Sequence, residues 1–380
     1  MKRAGIILLL LLTVLTGLPM GAQAEQMGKS AVLMELTTGT VLQELNAHEP
    51  LPPASVTKVM TMLLVMEAID SGKIRWEDPV TASEQAAAKG GSQVYLKVGE
   101  TMTVRDMLKS VAVSSANDCA CALAEHLSGS EEAFVEQMNL RAEELGMQDT
   151  HFVNCTGLDD APGARDHRTS AYDIALMSRE LLRKHPEITE FTTIWMDTIR
   201  NGSFGLSNTN RMVRFYKGTT GLKTGFTRGA GFCLSASASR EGMDLIAVVM
   251  GSPSSKERFG ACKSMLDYGF ANFALAAPEL TEDLFIKVLL GTEEQVGVAL
   301  QADSGLVIDK SRKSGITREI RLEPEIPAPV SEGQILGQMV LKSGEKVLSE
   351  IPLVAVKAVP RLSRWEIFCR VLGKTAMAKQ

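Results

Sequence analysis

The sequence predicts an α/β (α+β) sandwich, an antiparallel sheet flanked by helices, followed by a small all-β domain. Three observations carry that expectation. Residues 30–45, "SAVLMELTTGTVLQEL", alternate like two short strands around the turn "TTG". Residues 221–252, "GLKTGFTRGAGFCLSASASREGMDLIAVVMGS", read as three strands with a hairpin turn at "SREG". Between them, from about 80 to 200, apolar spacing is mostly helical, as in "TVRDMLKSVAVSSANDCACALAEHL" and "EAFVEQMNLRAEELG". Strands at both ends of a helical stretch imply one sheet with helices packed on it.

The elements follow in order. Lys2 and Arg3, an apolar run, and Ala22 and Ala24 make residues 1–24 a secretory signal peptide cut after Ala24. No other segment is long and apolar enough to span a bilayer, so the mature chain is expected outside the cytoplasm. In "PPASVTKVMTMLLVMEAIDSG" the prolines stop the preceding segment and Ser55 opens a helix. Val59, Met62, Leu63 and Met66 give that helix its apolar spacing, and Gly72 is its C-cap. The loop "NCTGLDDAPGARDHRTS" leads into the helix "AYDIALMSRELLRKHP", where Asp173 orients the site from behind or is a helix cap or a surface charge. The helix "SSKERFGACKSMLDYGFANF" closes a domain of residues 25–275. Residues 280–358 alternate apolar and polar residues between glycine turns, the pattern of an all-β domain. In the tail, residues 359–380, Leu362, Trp365, Phe368, Cys369 and Leu372 fall on one helical stripe flanked by Arg361, Arg364, Arg370 and Lys374. Such a helix can lie in the interface of the cytoplasmic membrane, here on its outer face.

Composition narrows the function. A net charge of −5 gives no sign of nucleic-acid binding. The six cysteines are scattered through a chain large enough to build its own core, so a disulfide framework is not expected. Cys119 and Cys121 read as small core residues. The five histidines show no H-E-x-x-H or H-x-H spacing, and neither a metal site nor a cofactor is expected.

The chemistry lies in three motifs. Ser55 and Lys58 are three residues apart, which places a lysine one turn from a serine. That spacing alone is weak, because Ser343 and Lys346 share it in a polar turn. Ser115-Ala116-Asn117 and Lys223-Thr224-Gly225 supply the company that "SGEK" lacks. An acyl-transfer nucleophile needs a base, a donor to the leaving amine and donors for the oxyanion. Ser55 is the candidate nucleophile, and Lys58 its base, made neutral by burial and by Lys223. Ser115 can relay the proton to the departing nitrogen, assisted by Lys223. Asn117 can hold the Lys58 ammonium or a substrate amide carbonyl. The strand after Lys223 can pair with an extended peptide, with Gly225 leaving room and the Phe226 N–H joining that of Ser55 as an oxyanion hole.

S-x-x-K, S-x-N and K-T-G in that order mark penicillin-recognising serine enzymes. With "GSQVYLKVGE", "NCTGLDD" and "AVVMGS", they make the chain resemble the D-alanyl-D-alanine carboxypeptidases, the low-molecular-mass penicillin-binding proteins. The likeness covers most of the mature chain, including the β domain and tail. It implies a β-lactamase/transpeptidase-like fold and removal of the terminal D-alanine from peptidoglycan stem pentapeptides through a Ser55 acyl-enzyme. It also implies acylation of the same serine by β-lactam antibiotics. By position in "MGSPSSKERFG", the arginine that holds the substrate's terminal carboxylate in relatives falls on Arg258, with Thr224 sharing the anion. Some relatives carry histidine where this chain has Phe226. A D,D-endopeptidase shares the chemistry and differs in leaving group. A class A β-lactamase needs a glutamate in E-x-x-x-N, and the residues before Asn154, "DTHFV", do not provide one. A penicillin-binding sensor without turnover is the non-enzyme alternative.

Overall fold

The computed structural model describes residues 28–160, 163–276, 280, 282–301 and 305–377. The proposed signal peptide lies outside the described residues. A five-stranded antiparallel sheet organises the first part of the chain. Its strands are β1 (Ser30–Glu35), β2 (Val41–Leu45), β3 (Thr219–Thr227), β4 (Gly231–Arg240) and β5 (Met243–Ser252). Their spatial order is β2-β1-β5-β4-β3, which leaves β3 at an edge. The β4–β5 connection is the expected hairpin: Glu241 and Gly242 have φ of 52° and 77°, as a two-residue type I′ turn requires.

Period-2 alternation gives each strand two buried faces. Val32, Met34, Ile246, Val248 and Met250 join the core under the helical layer, while Ala31, Leu33, Leu245, Ala247 and Val249 join the core on the opposite face. The first layer contains α1 (Lys58–Asp70), α2 (Val104–Ser114), α3 (Asn117–Ser128), α4 (Glu131–Glu144) and α5 (Ala171–Lys184). The second is α6 (Ser255–Asn272). Side-chain caps fix several starts: Thr103, Ser130, Ser170 and Ser254 accept N–H bonds from Asp106, Ala133, Asp173 and Glu257.

Two helical expectations shift. The α-helix after the prolines starts at Lys58, because Ala54–Thr57 form a separate 3-10 turn. And burial of α1 extends beyond the stripe of Val59, Met62, Leu63 and Met66: from Lys58 to Met66 only Leu64 is not fully buried. A helix apolar around its circumference belongs in the middle of the core, as here. At its C-terminus Ser71 is the cap, and Gly72 follows it in the left-handed region, at φ 72°, donating to the Ile69 carbonyl at 2.9 Å.

Residues Pro79–Thr81 with Thr101–Thr103, and Met196–Ile199 with Phe204–Ser207, form two small two-stranded sheets within and at the ends of the stretch read as helical. Runs of three or four residues are too short to register as alternation.

The C-terminal part is all-β, as expected. Strands β7 (Leu284–Leu289), β8 (Gln295–Leu300), β10 (Ile316–Leu322), β11 (Glu325–Pro327), β12 (Ile335–Ser343) and β13 (Lys346–Ala355) form one sheet around a separate core. Between β8 and β10, strand β9 (Leu306–Asp309) leaves that sheet. It pairs antiparallel with β6 (Phe273–Ala276), which follows α6 directly.

Helix α7 (Arg364–Met377) closes the described chain. Trp365 and Phe368 are exposed and stacked at 5.6 Å. Leu362 does not share their face: it precedes the helix and is buried, its N–H bonded to the Leu290 carbonyl at 2.8 Å. Arg370 donates to the carbonyls of Gly291 and Thr292, tying the helix to the β domain. No described helix is long and apolar enough to cross a membrane.

Candidate active site

The 3-10 turn of the first motif packs against edge strand β3, which carries the third, and the second motif sits at the α2–α3 junction. A 3-10 turn has three residues per turn, so positions i and i+3 eclipse. That geometry brings Lys58 Nζ to 2.9 Å from Ser55 Oγ. The same amine donates to the Thr156 carbonyl at 2.8 Å. The turn is squeezed from two sides by glycines. A Cβ on Gly225 would stand 2.6 Å from the Pro53 carbonyl oxygen, and one on Gly157 would stand 1.8 Å from that of Ala54. Both positions therefore require glycine.

Lys58 and Lys223 are fully buried. Burial pushes the Lys58 amine down to about 7, against smaller opposing effects of Cys155 and Asp118. Asp118 is a buried carboxylate that accepts N–H bonds from Val94, Leu96 and Cys119. Lys223 is pushed well below the ordinary lysine range, first by burial and then by the charges of Lys58 and Arg258. The expected repulsion between the two lysines thus falls on Lys223, whereas Lys58 is lowered by desolvation. Lys223 Nζ donates to the Thr224 carbonyl at 2.9 Å.

Ser115 sits between α2 and α3 in the left-handed region, φ 63° and ψ 30°, and is 3% exposed. That conformation ends one helix and lets the next start at Asn117, so the serine stands at the corner. Asn117 does not hold the Lys58 ammonium, whose partners are Ser55 and Thr156. Its Nδ2 donates to the Gly90 carbonyl at 2.6 Å, and its buried Oδ1 has no protein partner. Such an acceptor suits an incoming amide N–H.

Along β3, Thr224 Oγ1 donates to Thr209 Oγ1 at 2.7 Å. Phe226 is half exposed, its ring 4.3 Å from that of Phe232. Arg258 Nη1 donates to the carbonyls of Gly225 (2.9 Å) and Cys233 (3.1 Å), so the guanidinium braces β3 and β4. Its Nε is buried without a partner, and burial lowers its pKa to about 10. Arg258, Arg211, Thr209, Asn208, Trp195 and Phe215 line a cavity of about 720 Å³ beside the strand.

Sequence reasoning missed Thr156, Thr209, Asp118 and Arg211. Thr156 serves through its backbone, which leaves no side-chain signal. Asp118, an acid inside an apolar helix, was the one visible clue. Asp173 lies away from these groups: its carboxylate accepts from Asp149 N and Thr150 Oγ1 and braces that loop. At the far end of α1, Asp70, His185 and Glu187 bring ligand atoms within 4.8 Å of one another, with His185 Nδ1 bonded to Asp70 at 2.6 Å.

The chain is similar to several known proteins. A family model described as D-alanyl-D-alanine carboxypeptidase matches residues 19–254, and one described as the penicillin-binding protein 5 C-terminal domain matches residues 284–361. The chain is 42% identical over 357 residues to D-alanyl-D-alanine carboxypeptidase DacF of Bacillus subtilis, covering 91% of this chain and 89% of that protein. Among solved structures, it is similar to penicillin binding protein 5 from Haemophilus influenzae, with a TM-score of 0.74 and 31% identity over 88% of this chain and 98% of that one. It also resembles ampicillin-bound penicillin-binding protein D2 from Listeria monocytogenes, with a TM-score of 0.59 and 32% identity over 64% of this chain and 97% of that one.

Proposed function

The chain belongs to the D-alanyl-D-alanine carboxypeptidase family, and from that premise we propose how its residues divide the work of this serine-type hydrolase of peptidoglycan. Ser55 Oγ attacks the carbonyl carbon of the penultimate D-alanine while Lys58 Nζ takes the hydroxyl proton. The N–H groups of Ser55 and Phe226 receive the oxyanion. Ser115, assisted by Lys223, passes a proton to the departing D-alanine nitrogen as the C–N bond breaks. Water then attacks the acyl-enzyme, regenerating Ser55 and releasing the shortened peptide. Asn117 Oδ1 accepts the substrate amide, and Thr224 with the Arg258 Nε faces the terminal carboxylate. A β-lactam follows the first step on the same serine.

The observation that carries this reading is the 2.9 Å bond between Ser55 and an amine with pKa about 7. The test is D-alanine release from an acyl-D-Ala-D-Ala peptide, with stoichiometric β-lactam labelling mapped to Ser55. Steady hydrolysis of a chromogenic cephalosporin would replace this reading with a β-lactamase. Cleavage of a cross-linked dimer into monomers, without D-alanine release from a pentapeptide, would make it an endopeptidase.

Arg258→Leu is expected to lower kcat/KM for the peptide about 10- to 100-fold, mainly through KM, as for a lost charge-assisted carboxylate contact. An ester or amide substrate without the terminal carboxylate should feel the change much less. Equal losses on both substrates would leave Arg258 as a strand brace alone.

A signal peptide over residues 1–24 and membrane association through α7 complete the reading. Export fits a peptidoglycan substrate, which lies outside the cytoplasm. Trp365 and Phe368 give α7 an exposed aromatic face, with Arg364 and Arg370 as cationic neighbours. Ending the chain at residue 359 is expected to move it from sedimenting vesicles to the supernatant. Equal partitioning of both lengths would remove the tail from this role.

A further inference from the structure

The acyl-transfer steps leave one buried imidazole next to the nucleophile turn unused. His167 is 3% exposed and meets Phe152 edge-on, with ring centres 5.7 Å apart. The Val153 N–H donates to its Nδ1 at 3.0 Å. An accepting Nδ1 places the ring proton on Nε2. That atom lies 2.8 Å from Thr57 Oγ1, so the Nε2–H donates to the hydroxyl. The hydroxyl in turn donates to the Ala54 carbonyl at 2.8 Å. A continuous chain of bonds therefore runs from the 153–167 loop to the residue that precedes Ser55.

The end of that chain is a strained place. Ala54 has φ 49°, a left-handed conformation unfavourable for a residue with a Cβ. Such a conformation persists only where its surroundings over-determine it. The surroundings here are the Thr57 hydroxyl bonded to the Ala54 carbonyl and the Gly157 backbone packed against it. Releasing the carbonyl lets the peptide rotate, and with it the Cα–Cβ vector of Ser55.

We propose that His167 is a positioning residue for acyl transfer: its neutral ring, bonded to Val153 and Thr57, fixes the Ala54 carbonyl and so aims Ser55 at Lys58 and the substrate. The inference rests on Ser55 being the nucleophile. His167 is not a second base, because both ring nitrogens are engaged. Burial, aided by the charges of His151 and Lys58, pushes its pKa to about 4, so the ring is neutral where the enzyme works. A proton on Nδ1 would oppose the Val153 N–H with a second donor.

The experiment measures the acylation rate constant with a fluorescent penicillin on protein shown to be folded by circular dichroism. Thr57→Val keeps the shape and removes the hydroxyl, and His167→Phe keeps the ring and removes both bonds. Each is expected to slow acylation about 10- to 100-fold, the scale of a misaimed reacting group, while labelling still reaches completion. The pH at which the rate rises stays where Lys58 sets it. Thr57→Ser is expected to restore the rate. The double variant should be slower than the worse single one by less than about twofold, since both break the same chain. Rates within about twofold of the parent in folded Thr57→Val would overturn the proposal, as would effects that multiply. If His167→Phe does not fold, Thr57→Val and its serine rescue decide alone. Labelling that survives removal of Ser55 would instead overturn the nucleophile assignment.

Discussion

Ser55→Ala is expected to abolish both covalent labelling by a fluorescent penicillin and D-alanine release from an acyl-D-Ala-D-Ala peptide. Removing the nucleophile of a group that acts as a unit costs on the order of 10⁴-fold or more in kcat. The fold should not suffer. The hydroxyl's bond in the protein is to Lys58 Nζ, which keeps the Thr156 carbonyl as a second partner. Intact-mass spectrometry after penicillin treatment checks the result, and an adduct on the alanine variant would move the nucleophile elsewhere.

Lys58→Met is expected to slow acylation roughly 10²- to 10⁴-fold, the range of a lost general base. Methionine fills similar space without a charge to desolvate, so the variant should remain folded. The parent's pH profile follows from the Lys58 amine near 7. A base must be neutral to accept the serine proton. Below about pH 7 the amine is protonated and the acylation rate falls about tenfold per pH unit; above it the rate levels off. Lys58→Met should flatten that limb as well as lower it. A parent rate that is level between pH 5 and 8, measured by stopped-flow penicillin acylation, would exclude Lys58 as the base.

The sheet was legible because its strands carry strong alternation and a glycine-bearing hairpin turn. The order of Ser55, Lys58, Ser115, Asn117 and Lys223 was legible because each element contributes chemistry through its side chain. What escaped acts through backbone or depends on packing. Thr156 offers a carbonyl, and the eclipsed Ser55–Lys58 spacing comes from a 3-10 turn that a helical pattern does not distinguish from an α-helix. Burial of α1 nearly all round depends on layers above and below it, which no local window contains. Leu362 matched the tail's stripe by spacing, yet the β domain claims it. Arg258 was placed by position, but its bonds to two strand carbonyls came only with the coordinates.

The pairing of Phe273–Ala276 with Leu306–Asp309 changes what joins the two halves of the molecule. In chain order β6 is followed by β7, which begins at Leu284. The ladder adds a seam, because the strand that completes it arrives from beyond β7 and β8. Pulling the halves apart thus means shearing paired backbone, and the end of α6 is anchored by a segment some thirty residues further along the chain.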